Sequence, residues 1–248
     1  MTAAESRPRG ALGMTIIALV MVGVLAGLGI WQLQRRDEKH VLIAALTERL
    51  ALAPVQLPAD WAALNAARDE FRRVTFTATF ESKPDVMVYT SGSAVREDVS
   101  GPGTWAFLPA RLPDGRAIVI NAGFVQNTMQ DRAQQDQAVG RLITGAPVTM
   151  TGYMRFPETP GLFSAHEDRA KRLWFVRDHR AMALAMAWGE VAPFYVDLEA
   201  PVPPSGVPKP GPLQVHLRDN HMQYAITWFG LALVVLVAFG FWVAQRRA

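Results

Sequence analysis

Charge is absent from two long stretches at opposite ends of this chain and frequent everywhere between them. No Asp, Glu, Lys or Arg lies between Arg9 and Arg35, and none lies between Asp219 and Arg246. Each gap exceeds the ~20 apolar residues that cross a bilayer's hydrocarbon core. The pattern predicts a membrane protein with transmembrane helices at 11–34 and 220–244 and short tails at 1–10 and 245–248. Two spans form a hairpin, with both tails on one membrane face and residues 35–219 on the other. The first stretch is longer than the roughly 7–15 apolar residues of a signal peptide, and no small-x-small cleavage site follows it directly. It ends Trp31-Gln32-Leu33-Gln34-Arg35-Arg36, aromatic then basic, as an anchor leaving a bilayer does. The leader contains Glu5, unlike an acid-poor mitochondrial transit peptide, which favours a bacterial origin.

Gly23 and Gly27 form a G-x-x-x-G with Gly29 close by, a pattern that lets another helix approach. The expected partner is the second span, through Ala225, Ala232 and Gly240. Past the first span, Val41, Leu42, Ala45, Leu46, Arg49 and Leu50 keep helical spacing, so the helix should continue until just before Pro54. A short helix is predicted around 60–67. The period then changes to two. Val74, Phe76, Ala78 and Phe80 alternate with Thr75, Thr77 and Thr79, the pattern of a half-buried strand. Further strands are predicted at 86–89, 104–112, 117–125, 147–156, 173–176 and 194–198. Pro113-Asp114-Gly115-Arg116 turns the 104–112 and 117–125 strands into a hairpin, because proline presets φ and glycine supplies a positive one. Residues 126–137 are polar and read as a loop. Asp178 is placed to cap a helix carrying Met182, Ala185, Met186 and Trp188. The prolines at 201, 203, 204, 208, 210 and 212 predict an extended connector crossing the domain surface. The fold class is therefore α+β: a two-helix hairpin bracketing a mainly antiparallel β domain, a small barrel or curled sheet, with one or two short helices.

Composition narrows the chemistry. Half of the 248 residues are hydrophobic, and removing the spans leaves a middle of ordinary globular composition. The net charge of +3 comes from scattered arginines with no basic run interleaved with aromatics, so nucleic acid is not an expected partner. There is no cysteine, which excludes disulfides, thiolate metal sites and cysteine nucleophiles. Ser91-Gly92-Ser93 reads as a turn rather than a nucleophile. Glu81, Asp85, Glu97 and Asp98 read as single solvated carboxylates. No catalytic constellation emerges, and an enzyme is not expected.

Of the five histidines, His166 and His179 lie in the β domain without a partner at ligand spacing. His221 opens the second span in Asp219-Asn220-His221-Met222-Gln223-Tyr224, where polar groups are costly and tend to be functional. His221, Tyr224 and Trp228 share a helix face by spacing. Two readings stand: an interfacial cap with an aromatic belt, or a ligand to a hydrophobic metal cofactor, for which a neutral imidazole on haem iron is the natural chemistry. Arg35 and Arg36, leaving the first helix at the same face, suit either interfacial anchors or partners of haem propionates. Counting Arg7, Arg9, Arg35, Arg36 and Lys39 against Arg218, Arg246 and Arg247 does not fix the orientation.

Leu28-Gly29-Ile30-Trp31-Gln32-Leu33-Gln34-Arg35-Arg36 and Asn220-His221-Met222-Gln223-Tyr224-Ala225-Ile226-Thr227-Trp228-Phe229 resemble the exit and return motifs of the Surfeit locus protein one family of cytochrome c oxidase assembly factors. Phe71-Arg72-Arg73-Val74, Val119-Ile120-Asn121-Ala122-Gly123-Phe124-Val125 and Leu173-Trp174-Phe175-Val176-Arg177-Asp178 fall between them in the family's order. The chain departs where the family has Arg-Gly-Trp-Val-Pro and this sequence has Ala122-Gly123-Phe124-Val125-Gln126, losing a charge and a proline; Met222 stands for a more usual leucine. The resemblance implies a factor that matures the haem–copper oxidase at the haem a step of subunit I, with transient haem a as cofactor. His221 is the implied iron ligand, and Trp31, Arg35, Tyr224 and Trp228 the implied pocket. It also implies termini in the cytoplasm, a periplasmic middle and a place in the bacterial inner membrane. Partners would be oxidase subunit I, haem a synthase and membrane lipid. The alternative within the family is a scaffold that holds subunit I without binding haem. A second axial ligand would come from His40, His216 or a partner.

Overall fold

A computed structural model describes residues 9–93, 95–127, 131–162, 164–214 and 219–247. The tail with Glu5 and Arg7, and His216 and Arg218, lie outside the described residues. The chain divides into a helical unit, residues 1–44 and 218–248, and a sheet unit, residues 45–217. Helix α1 (Arg9–Ala51) runs unbroken over 43 residues, about twice what a bilayer core requires, and stops shortly before Pro54. The continuation beyond the apolar stretch is thus helical, as its spacing predicts.

The sheet unit follows in chain order as β1 (Val55–Gln56), α2 (Ala66–Asp69), β2 (Arg73–Phe80), β3 (Val86–Thr90), β4 (Gly103–Arg111), β5 (Ala117–Gln126), α3 (Arg132–Gly140), β6 (Val148–Arg155), β7 (Leu173–Trp174), α4 (His179–Ala185) and β8 (Tyr195–Ala200). The strands form one sheet in the order β1-β2-β6-β8-β5-β4-β3-β7. β2 pairs with β6 through Arg73–Ala78 and then with β4 through Thr79 and Phe80, so β2, β6, β8, β5 and β4 close on themselves. Of the two forms that the strand spacing leaves open, a small barrel or a curled sheet, the closed one is found. Most pairings are antiparallel, but β1·β2, β3·β7 and β5·β8 are parallel.

Two layers of core explain the burial pattern. Inside the barrel, Val74, Phe76, Ala78 and Phe80 of β2 meet Leu108, Ile118, Ile120, Met150, Met154 and Val196. The threonines of β2 alternate outward, half-buried. β4 and β5 are buried on both faces, because Trp105, Phe107, Val119 and Phe124 point the other way into a second layer with Trp174, Met182, Trp188 and Tyr195. The Pro113–Arg116 turn is as predicted: Leu112 N–H donates to Arg116 O, Gly115 N–H to Leu112 O, and Gly115 has φ +87°.

Four readings of the sheet unit need correction. The polar 126–137 segment is not all loop: α3 begins at Arg132, capped by Asp131, whose side chain accepts the Ala133 N–H. Its polar residues hide a short buried stripe of Gln135, Ala138 and Val139. With α2 and α4 the described sheet unit has three short helices rather than one or two. The proline-rich connector crosses the surface only in its first half. Pro208, Pro210, Gly211 and Leu213 are buried, and Lys209 bridges Phe124 at the end of β5 in antiparallel fashion. Finally, Asp85 is not solvated: it is buried beneath Arg132 and Arg172, at 2.7 and 2.9 Å.

His179, at the start of α4, is wholly buried beside Tyr195; its Nε2–H donates to Ala192 O at 2.9 Å. Desolvation by burial pushes its pKa down from 6.5 to about 4. The unfolded chain therefore takes up a proton at a pH where the folded chain does not. Stability is fully present above about pH 6.5 and is lost as pH falls toward about 4, on the order of 3 kcal/mol in all. Denaturation midpoints of the detergent-solubilised chain across this window should fall, and His179→Gln, which keeps an N–H for Ala192, should flatten the fall. An unchanged slope in the variant would assign the acid sensitivity elsewhere.

The chain ends with helix α5 (His221–Arg247). In the helical unit Ala225, Ala232 and Ala18 are buried, while large apolar residues along both helices are exposed. The close approach falls not at Gly23 or Gly27, where an added Cβ would meet open space, but at Gly29, where it would lie 2.7 Å from the Phe229 ring. Gly240 likewise faces open space. Small residues still make the contact, one turn from where the G-x-x-x-G places it.

Candidate functional site

α5 starts at His221 for local reasons. Asn220 O accepts the Tyr224 N–H, the first helical bond, and Asp219 Oδ1 accepts the His221 N–H at 3.0 Å. The Asp219 carboxylate thereby satisfies one of the donors that a helix N-terminus leaves orphaned. Asp219 also ties back to α1: its Oδ2 lies 2.6 Å from His40 Nε2. Hydrogen bonds from the His221 amide and then from His40 hold the Asp219 carboxyl below the usual carboxylate range.

The His221 ring is oriented by α1. Its Nδ1 lies 2.7 Å from Gln32 Oε1. An amide oxygen only accepts, so Nδ1 is the donor in this contact, and Nε2 is the nitrogen that a neutral ring would offer to a metal. Metal-bound histidines have this arrangement, one nitrogen held by an outer acceptor and the other presented to the metal. The donor chemistry therefore fits a haem iron, which takes a neutral imidazole.

The remaining foreseen residues are distributed unevenly. Trp228 is half-buried, and its indole Nε1 is buried with no partner among the described residues. Tyr224 is 54% exposed, and the buried α5 position beside it is Ala225. The inward face of α5 is thus His221, Ala225, Trp228 and Ala232, with Tyr224 on its flank. Trp31 is 49% exposed. Arg35 is exposed and pairs with Glu38 at 2.9 Å. Of the second-ligand candidates, His40 is engaged by Asp219 and His216 lies outside the described residues. Among the described residues no group of three or more His, Cys, Asp or Glu is arranged to hold a metal ion. Sequence reasoning missed Gln32 and Asp219. The available signal was polarity: Gln32 is an amide near the end of an uncharged apolar stretch, where an unpaired polar group is expensive.

In the sheet unit charged groups are tied in pairs. Arg155, 8% exposed, donates to Asp197 Oδ2 at 2.8 Å and Glu70 Oε1 at 2.6 Å. Asn121 Nδ2 donates to Asp197 Oδ1, and Arg73 makes a two-pronged pair with Glu199. Arg96 Nε and Nη2 hold Asp98.

Comparison with known proteins covers both units. Surfeit locus protein 1 of Rattus norvegicus is 33% identical over 217 residues, 83% of this chain and 67% of the rat protein. The Homo sapiens protein of the same name is 32% identical over 228 residues, 86% of this chain and 72% of its own. A SURF1-like protein of Monosiga brevicollis is 30% identical over 253 residues, 99% of this chain and 91% of its own. The SURF1 family model matches residues 19–233, which takes in the Trp31–Arg35 exit, the whole sheet unit and the His221 end of α5. With the end motifs and the sheet between them matched in one continuous stretch, the chain belongs to the SURF1 family.

Proposed function

We propose that this chain is a membrane-anchored assembly factor for haem–copper cytochrome c oxidase that receives haem a and passes it to subunit I. Haem a synthase would be the donor. The sheet unit would lie in the periplasm, with both termini cytoplasmic, at a bacterial inner membrane. The observation that carries the haem reading is the His221–Gln32 pair, which engages Nδ1 and leaves Nε2 as the nitrogen available to a metal beside two apolar helices. The membrane reading rests on two helices that are long and apolar enough to cross a bilayer and whose apolar residues are exposed. In water, surfaces of that extent would drive aggregation; in lipid they are solvated.

Haem a, when bound, is the cargo, and the residues here bind and orient it. His221 would hold the iron. Arg35, one helical turn from Gln32, would meet propionates by exchanging its exposed pair with Glu38. Trp31, Tyr224 and Trp228 would supply aromatic surface. The test is an absorption spectrum of the detergent-purified chain, co-expressed with the haem a synthesis enzymes. A haem a signal is expected in the natural chain and none in His221→Ala, with both inserted equally. A variant that keeps its full haem would remove His221 as ligand. No signal in either, with haem a synthesis verified in the same cells, would favour a scaffold that holds subunit I without touching haem.

A further inference from the structure

We infer that Gln32 is a positioning residue that fixes which nitrogen of His221 is offered to iron and keeps that nitrogen a ligand able to let go. The inference deepens the haem a proposal and rests on it. Among the described residues the His221 ring is hydrogen-bonded through Nδ1 to Gln32 Oε1, on the other helix of the same unit. The nearest carboxylate in sequence, Asp219, does not take this place. It is spent on the His221 backbone N–H and on His40. The outer partner of the imidazole is therefore a neutral amide.

That choice has a chemical consequence. An anionic acceptor on Nδ1–H pulls the ring toward imidazolate, raises its basicity and strengthens the bond to ferric iron. An amide oxygen orients the ring as well but donates far less charge. A protein that stores haem gains from the first arrangement. A protein that must surrender haem to another chain gains from the second. Asp219, held two residues away by its own bonds, is kept out of the role that would make the site too tight.

Three readouts test this on the full chain in detergent. First, ¹⁵N spectra of the haem-free protein with labelled histidine should show His221 protonated at Nδ1. In Gln32→Leu that preference should be lost, and in Gln32→Glu, of nearly the same shape, it should be retained. Second, affinity for added haem a should fall about 10–100-fold in Gln32→Leu, the usual effect of removing an outer partner. Third, Gln32→Glu should restore binding, lower the haem midpoint potential and slow transfer to apomyoglobin. Nδ1 unprotonated in the natural chain would overturn the inference. So would a Gln32→Glu variant that releases haem as fast as the natural chain. If His221→Ala loses haem while Gln32→Leu binds it unchanged, the inference falls and the haem proposal stands. If His221→Ala keeps its haem, both fall together.

Discussion

Gly123→Ala is expected to remove about 4 kcal/mol from the stability of the sheet unit, a large part of what a domain of this size has. Gly123 has φ +129°, a conformation that costs an alanine about 1–3 kcal/mol by itself. It also sits where the proline-rich connector crosses β5. An added Cβ would overlap the Lys209 carbonyl and the Pro210 nitrogen, both backbone atoms that cannot swing aside. The two bonds that hold the connector there would be forced apart: Phe124 N–H to Lys209 O at 3.0 Å and Lys209 N–H to Phe124 O at 2.8 Å. Each contributes roughly 1 kcal/mol. Gly115 provides the control, because its φ of +87° is also strained but an added Cβ there meets nothing within 4 Å. Gly115→Ala should therefore cost only the backbone term, about 1–2 kcal/mol. Urea midpoints for the two variants decide the matter. Equal losses would mean that the connector does not press on β5 and that φ alone explains both.

The same crossing shows what a sequence reveals and what it hides. In the sequence Gly123 reads as one more position of an apolar strand, and what requires a glycine there is backbone 86 residues further on at Lys209. Local alternation made β2 legible, since a strand with one face inward repeats every second residue. It made β4 and β5 legible only as apolar runs. Why both faces are apolar depends on α4, Trp174 and Trp188, a second layer with no trace in the strands themselves. α3 was lost because its buried stripe is a glutamine, an alanine and a valine, too weak a period to outweigh its polar residues. Register and closure were out of reach, because nothing local in β2 announces that Thr79 and Phe80 leave β6 and pair with β4. At the candidate site His221 stood out by its place in an uncharged helix. Gln32, 189 residues away in sequence, became its partner only when α1 and α5 were side by side.

Arg155→Met should be about as damaging as the glycine change, for an electrostatic reason. Arg155 is the cation in a buried knot. Its Nη1 donates to Asp197 and its Nε to Glu70, and its guanidinium lies 4.5 Å over the Phe71 ring. Glu70 in turn accepts the Phe156 N–H through Oε2, and its backbone carbonyl accepts Arg49 from the last turns of α1. One guanidinium thus joins α1, α2, β6 and β8 within the sheet unit. A methionine fills the volume but leaves two carboxylates without their cation, and breaking a buried pair from one side costs about 3–5 kcal/mol. The sign of a second change distinguishes this from lost packing. Alone, Asp197→Asn should destabilise, because it weakens the bond from Arg155. Combined with Arg155→Met it should be close to neutral or stabilising, because it removes a buried charge that no longer has a partner. Strictly additive losses in that double-mutant cycle would show that Arg155 contributes by packing on Phe71 and not by its charge.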